Sequence, residues 1–196
     1  MALDLTRHLE LIDPHYFEEP ITIIGAGATG SWLALSLAKL GLTNITVYDF
    51  DVVESHNIPN QVYSISQIGQ PKVHALYNII HGTTGTKINV KNEKYTNQRL
   101  TGIVFLMVDS MSERKRIWEQ SIKLKSQIKL MIEPRMGLDM GRIYNVNPLD
   151  MEQIRRYEET LYSDDVAEVS ACGASMTVIT TALGIASWCG RSLINW

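Results

Sequence analysis

The sequence has few cysteines, and this scarcity excludes two common kinds of stabilised protein. Cys172 and Cys189 are the two cysteines in 196 residues, and they do not form a CxxC pair. Neither a structural zinc site nor a disulfide framework is therefore indicated. A reducing cytoplasm is the simpler expectation for the location of such a chain.

The sequence also lacks a charge surplus and a long apolar run. Its formal net charge is -3 at pH 7, with no basic excess that would suit nucleic acid and no acidic tail. No apolar run reaches the roughly 18 residues of a membrane span. Asp4, Glu10 and Asp13 interrupt the N-terminal segment, which therefore lacks the apolar core of a signal peptide. We expect neither a nucleic acid nor a membrane as partner.

What the sequence does contain is a series of short apolar runs that alternate with helical patterns. The alternation predicts an α/β fold, a Rossmann-like doubly wound and mainly parallel sheet with helices on both faces. The length predicts a single nucleotide-binding domain over residues 1–196, with an N-terminal helix in residues 1–13. The expected strands are 21–24, 44–48, 86–90, 103–108, 128–132 and 142–147, and the expected helices are 31–40, 71–80, 112–121, 151–162 and 175–193.

A glycine-rich motif follows the first expected strand. Gly25, Gly27 and Gly30 match G-x-G-x-x-G, in which the glycines permit a tight turn, a close approach to phosphate and tight helix–strand packing. The following helix N-terminus would present N–H groups to an anion. The motif predicts nucleotide binding, although a purely structural turn is the alternative. It does not distinguish ATP from NAD, and it is not a Walker A loop because no Gly-Lys-Ser/Thr ends it.

Two acids end the second expected strand. Asp49 and Asp51 lie 19 and 21 residues after Gly30, where one carboxylate can accept hydrogen bonds from ribose hydroxyls. An NAD-dependent oxidoreductase would need only one of them. That function leaves the polar stretch from Asn57 to Lys72 without a role.

The stretch after Asp49 resembles a more specific pattern. It reads DFDVV, HNIPNQ and IGQPKVHA. This resembles the adenylating domain of the ThiF/MoeB family, the bacterial relatives of ubiquitin-activating enzymes, whose pattern is D-x-D-x-V, S-N-x-x-R-Q and I-G-x-x-K-A. The resemblance also covers the glycine motif, Asp109-x-x-x-x-Arg114, and a cysteine before the last helix, from about residue 5 to residue 193.

The resemblance implies an activity. A carboxylate, such as the C-terminus of a ubiquitin-like or sulfur-carrier protein or of a peptide, would attack the α-phosphate of ATP and give an acyl-adenylate and pyrophosphate. It also implies a homodimer. Within this resemblance Asp51 would bind ribose and Asp109 would hold Mg²⁺. The other implied nucleotide contacts are Gly25, Gly27, Gly30, Asp49, Asn57, Asn60, Gln61 and Lys72.

The residue types suit this chemistry without the resemblance. Charge accumulates on phosphate oxygens during transfer, so a cation such as Lys72 at a helix start can stabilise it. Asp109 follows an apolar strand, and Mg²⁺ takes one or two carboxylates together with phosphate oxygens and water. Alternatively, Lys72 is only solvated and Asp109 only caps a helix. Arg114 either contacts substrate or pairs with a carboxylate.

The sequence departs from the family pattern at position 60. Asn60 stands where the family has an arginine that would contact the triphosphate. Arg135 and Arg7 are candidate replacements, and the resemblance suggests that Arg7 reaches the partner's site across a dimer. The family's zinc-binding CxxC pairs are missing, so we expect no zinc.

Cys172 occupies the place of the reactive cysteine of several relatives, and its thiolate could accept the acyl group from the adenylate. Small buried cysteines are the alternative, and Cys189, within an apolar helix, is expected to be one. Two other functions stay open. One is an NAD-dependent oxidoreductase, and the other is a non-catalytic nucleotide-binding relative, which Asn60 favours.

Overall fold

A computed structural model of the chain describes residues 3–7, 9–137, 140–163 and 178–196. None of the helices within these ranges is long and apolar enough to cross a membrane. The elements are the strands β1 (Ile21–Ile24), β2 (Ile45–Tyr48), β3 (Asn89–Lys91), β4 (Gly102–Leu106), β5 (Ile128–Met136) and β6 (Gly141–Val146), and the helices α1 (Ala28–Lys39), α2 (Lys72–Thr84), α3 (Met111–Ile117), α4 (Met151–Glu158) and α5 (Ile179–Ile194). Helix α3 continues into a π-helical turn, Trp118–Ile122.

The strands form one sheet in the order β3-β2-β1-β4-β5-β6. The first five are parallel, and β6 is antiparallel to β5. The chain runs from β1 outward to β3 on one side and then returns to β4 on the other side. This reversal places a crevice beyond the carboxyl ends of β1 and β4. The predicted doubly wound α/β fold is confirmed.

Hydrophobic cores cover both faces of the sheet. Ile21 and Ile23 of β1 pack into the core formed with α1, α2 and α5, whereas Ile24 packs into the core formed with α3 and α4. Successive strand side chains point to opposite faces, so a strand buried on both faces must be apolar throughout. This is why the continuous apolar runs identified the central strands.

The N-terminal segment differs from the prediction. The described residues of 1–13 form turns and loops rather than a helix. The carboxylate of Asp4 accepts hydrogen bonds from both the backbone N–H and the hydroxyl of Thr6. Such local side-chain bonds compete with the helical hydrogen-bond pattern. The predicted N-terminal helix is therefore wrong for the described residues.

Candidate functional site

The glycine loop follows β1 and lies against the segment after β4. Gly25 has φ +104°, and a Cβ there would lie 2.6 Å from the carbonyl oxygen of Met107. A Cβ at Gly30 would lie 2.0 Å from the carbonyl oxygen of Gly25. A Cβ at Gly27 would meet nothing within 4 Å. Gly25 and Gly30 thus permit close packing, whereas Gly27 borders open space at the crevice.

The N-terminus of α1 carries no competing acid. Gly27 is its N-cap, so no side chain caps the helix, and its first turn contains no Asp or Glu. The partial positive charge of a helix N-terminus is therefore not neutralised by the helix's own side chains. This end of α1 has the polarity that a phosphate group requires.

Asp49 is a structural part of the glycine loop. One of its carboxylate oxygens accepts a hydrogen bond from the N–H of Ala26 at 2.7 Å, and the other accepts one from the N–H of Asp51 at 2.8 Å. Burial raises the pKa of Asp49, while these two N–H groups act to lower it. Both oxygens are thus committed to the backbone, and Asp51 is the better placed of the two acids for ribose hydroxyls.

Lys72 begins α2 and pairs with Asp51. Its ammonium nitrogen lies 2.8 Å from Asp51 Oδ2, and its N–H donates to the Asp51 carbonyl at 2.9 Å. The Lys72 side chain is only 8% exposed, whereas that of Asp51 is 48% exposed. The alternative of a merely solvated Lys72 is wrong. A phosphate at this edge would compete with Asp51 for the ammonium group.

The segment after Asp51 is ordered by Asn57. Its side-chain oxygen accepts from the N–H of Glu54 at 2.9 Å, and its carbonyl accepts from the N–H groups of Asn60 and Gln61. The side-chain oxygen of Gln61 is buried and has no hydrogen-bond partner in the described part of the chain. Buried polar groups are usually paired, so this oxygen is an exception within the segment.

Asp109 lies in a bend between β4 and α3, and it is exposed. The N-cap of α3 is Ser110, whose hydroxyl accepts from the N–H of Glu113 at 3.3 Å. The alternative in which Asp109 caps this helix is therefore wrong. The described residues contain no group of three or more His, Cys, Asp or Glu that could hold a metal. Asp109 could contribute a single carboxylate, the rest of the Mg²⁺ shell being phosphate oxygens and water.

Beneath this bend lies a buried charge cluster, defined as Arg114, Glu133 and Arg135. Glu133 is fully buried, and its carboxylate lies 2.6 Å from Arg114 Nε and 3.0 Å from Arg135 Nη2. Arg114 also donates to the Val108 carbonyl at 2.5 Å. Of the two alternatives for Arg114, pairing with a carboxylate is the one observed. Sequence reasoning missed Glu133, because its strand was expected to end at residue 132.

Arg135 is not available to replace the missing arginine at position 60. Besides Glu133, it donates to the carbonyl and the hydroxyl of Thr160, and its guanidinium lies 4.4 Å from the centre of the Tyr144 ring. Its side chain is 12% exposed. That candidate role for Arg135 is therefore wrong.

Three candidate residues remain, one arginine and two cysteines. Arg7 is exposed in an N-terminal turn. Cys172 falls in 164–177, outside the described residues. Cys189 is buried in α5, and burial raises its thiol pKa to about 12, as expected for a core cysteine.

A family model, curated proteins and solved structures were compared with the chain, and all three show similar proteins. The family model for the ThiF family matches residues 16–189. Ubiquitin-like modifier-activating enzyme 5 of Caenorhabditis elegans is 31% identical over 80 residues, which are 40% of this chain and 19% of that enzyme. The crystal structure of E. coli MccB with ATP has a TM-score of 0.66 at 13% identity and covers 91% of this chain and 55% of MccB.

A second solved structure covers most of both chains. E. coli tRNA N6-threonylcarbamoyladenosine dehydratase, TcdA, in complex with AMP has a TM-score of 0.62 at 15% identity, over 96% of this chain and 88% of TcdA. At such identities the structures establish the fold. The matched segments span less than a fifth of the curated relatives, between 10% and 19% of their lengths. Because the family model covers most of its residues, the chain belongs to the ThiF family.

Proposed function

We propose that the chain is an ATP-dependent adenylyltransferase that transfers AMP to a carboxylate. The observation that carries the proposal is the placement of three features at adjacent strand ends. The open glycine loop follows β1, the Asp51–Lys72 pair follows β2, and the exposed Asp109 follows β4. These strands are neighbours in the sheet, so the features border one crevice.

ATP fits the residues that border the crevice. The uncapped α1 N-terminus suits phosphate, and the half-exposed Asp51 suits ribose hydroxyls. The related MccB has been solved with ATP and TcdA with AMP, which supports the choice of an adenine nucleotide. A dehydrogenase would leave Lys72 without a function.

In the proposed reaction a carboxylate oxygen forms a bond to the α-phosphorus of ATP. The bond from that phosphorus to the bridging oxygen breaks, and pyrophosphate leaves. Lys72 would leave Asp51 and compensate the charge that develops on the phosphate oxygens. Asp109 would hold Mg²⁺, which when bound neutralises phosphate charge.

The acyl substrate is proposed from the relatives. The name of the worm enzyme states that it activates a ubiquitin-like modifier, so we propose the C-terminus of a ubiquitin-like or sulfur-carrier protein, or of a peptide, as substrate. We further propose a cytoplasmic homodimer in which Arg7 reaches the partner's site. Cys172 would take the acyl group from the adenylate as a thioester, with AMP as the leaving group.

An exchange assay tests the proposal. ATP–pyrophosphate exchange is measured with and without candidate carboxyl substrates, together with binding of ATP and NAD. Mg²⁺-dependent exchange that requires a carboxyl substrate supports adenylation. NAD binding without ATP binding would overturn it in favour of an oxidoreductase. ATP binding without exchange against any substrate favours a non-catalytic nucleotide-binding relative, which the uncharged Asn60 makes the second candidate.

A further inference from the structure

A buried tyrosine fastens the glycine loop to the segment after Asp51. The hydroxyl of Tyr63 donates to the carbonyl oxygen of Ala26 at 2.7 Å, and the Tyr63 side chain is packed in the core. Ala26 is the residue between the first two glycines of the motif. Tyr63 lies after the dinucleotide motif and between two blocks of the family pattern, HNIPNQ and IGQPKVHA, so neither pattern assigns it a role.

The peptide groups on both sides of Ala26 are therefore held by side chains. Its carbonyl accepts from Tyr63, and its N–H donates to Asp49 at 2.7 Å. Asp49 follows β2, and Tyr63 lies in the loop beyond it. Two separate segments therefore hold Ala26, one through its N–H and the other through its carbonyl. The turn formed by Gly25 to Gly27, which has little side-chain packing of its own, gains a fixed orientation.

Two further bonds join the same segments. The hydroxyl oxygen of Ser31 in α1 accepts from the N–H of Val62 at 3.2 Å, and the indole N–H of Trp32 donates to the carbonyl of Asn60 at 3.2 Å. The glycine loop, the first turns of α1 and residues 60–63 thus form one hydrogen-bonded unit. Asn60 supplies no charge to this unit. The attraction of the unit for phosphate therefore depends on the orientation of its backbone N–H groups.

We propose that Tyr63 is a positioning residue for nucleotide binding, which holds the Gly25–Gly27 backbone in the orientation that receives the phosphates. The inference rests on the proposed nucleotide site but not on the acyl substrate or on adenylation itself. Burial raises the pKa of the Tyr63 hydroxyl, so it stays protonated and remains a donor across the working pH range.

The test is Tyr63→Phe, which removes the hydroxyl and keeps the ring in the core. The matched control is Tyr95→Phe. The Tyr95 ring is also buried, and its hydroxyl donates to the Gln98 carbonyl at the same 2.7 Å distance, in a loop outside the nucleotide unit. We expect Tyr63→Phe to raise the Kd for ATP about 5- to 10-fold, the size of one neutral hydrogen bond. The control should leave the Kd unchanged, although both variants lose a tyrosine hydroxyl that donates to a backbone carbonyl.

Hydrogen–deuterium exchange of the ligand-free protein gives a second measurement. Tyr63→Phe should speed amide exchange in residues 25–31, and Tyr95→Phe should not. Equal ATP affinities in the two variants, or unchanged exchange at 25–31 in Tyr63→Phe, would overturn the inference and leave the proposed function standing. If the unmodified chain binds no ATP, the proposed function and the inference fall together.

Discussion

The two halves of the sheet's carboxyl edge use charged residues in opposite ways. Beyond β1 and β2, Asp51 is about half exposed, and it pairs with the single cation Lys72. Within β5, beside the carboxyl end of β4, Glu133 is fully buried between two arginines. The first arrangement leaves a carboxylate accessible to a ligand, whereas in the second the charges pair with one another inside the protein. A charged residue at or near the end of a strand is therefore informative about function only when its partners are known.

The largest expected effect concerns the buried half. Glu133→Gln removes the carboxylate that Arg114 and Arg135 share, and it leaves two buried guanidinium groups uncompensated. We expect the free energy of unfolding to fall by about 3–5 kcal/mol. Urea denaturation measures it. Glu159→Gln, which breaks an exposed ion pair with Arg155, is the control and should change little. A small loss in Glu133→Gln would mean that the two halves do not differ as described.

Lys72→Ala tests the half assigned to the ligand. It removes the cation from the phosphate site, and the remaining Asp51 is exposed enough to be solvated. We expect ATP–pyrophosphate exchange to fall about 100- to 1,000-fold, as for the loss of a group that stabilises developing charge. Lys39→Ala, at the exposed far end of α1, provides the comparison. Exchange that survives in Lys72→Ala would remove the proposed role of Lys72.

The Asp109→Asn substitution tests whether the residue after β4 helps to hold Mg²⁺ at the nucleotide. Asp109 is exposed and does not cap α3, so the fold should tolerate the change. We expect Mg²⁺-dependent exchange to fall about 100-fold, while ATP binding measured without Mg²⁺ stays the same. Glu119→Gln, on the exposed side of the π-helical turn, serves as control. Identical metal dependence in Asp109→Asn and the unmodified protein would contradict the metal role.

The smallest effect is a pH dependence of the glycine loop. The pKa of Asp49 is raised above 3.8 by burial, so protonation begins above the usual carboxyl range and weakens a hydrogen bond to the backbone. ATP affinity should therefore fall as the pH falls through this raised pKa. The Asp49→Asn variant cannot take up this proton, so its ATP affinity should lack this part of the pH dependence. Parallel pH profiles of ATP affinity in the variant and the unmodified protein would refute the role of Asp49.

The effect of Asp49 protonation on stability has the opposite sign to its effect on ATP affinity, so the two can be told apart. A carboxyl group whose pKa is higher in the folded state binds its proton there first. Its protonation thus adds stability as the pH falls. A loss of ATP affinity in that window cannot then come from unfolding driven by Asp49, and a thermal melt at each pH provides the check.

The fold was largely predictable because its central strands β1, β2 and β4 are short, largely apolar runs. Strand β5 shows the limit of that signal. It was expected to end at residue 132, where polar residues and Pro134 begin, but it continues to Met136 because it pairs with β6, with Glu133 opposite Tyr144. Pairing between strands distant in sequence supports polar strand positions that no local pattern indicates.

The candidate site was predictable in part for a similar reason. Lys72 and Asp109 lie where the motifs placed them, at the start of α2 and after β4. The residue types alone did not separate Asp49 from Asp51, since both are carboxylates on the same short segment, and it was the resemblance that implied Asp51 as the ribose contact. Only the hydrogen bonds of Asp49 to two backbone N–H groups distinguish them.

The burial of Cys189 has a practical consequence for chemical labelling. Because its thiol is enclosed in α5 and its pKa is about 12, Cys189 is almost entirely protonated at neutral pH and sheltered from alkylating reagents. We therefore expect Cys189 to resist alkylation while the chain is folded. Any iodoacetamide adduct, or any hydroxylamine-sensitive acyl conjugate, formed on the native protein would identify Cys172 without removing Cys189 by mutation.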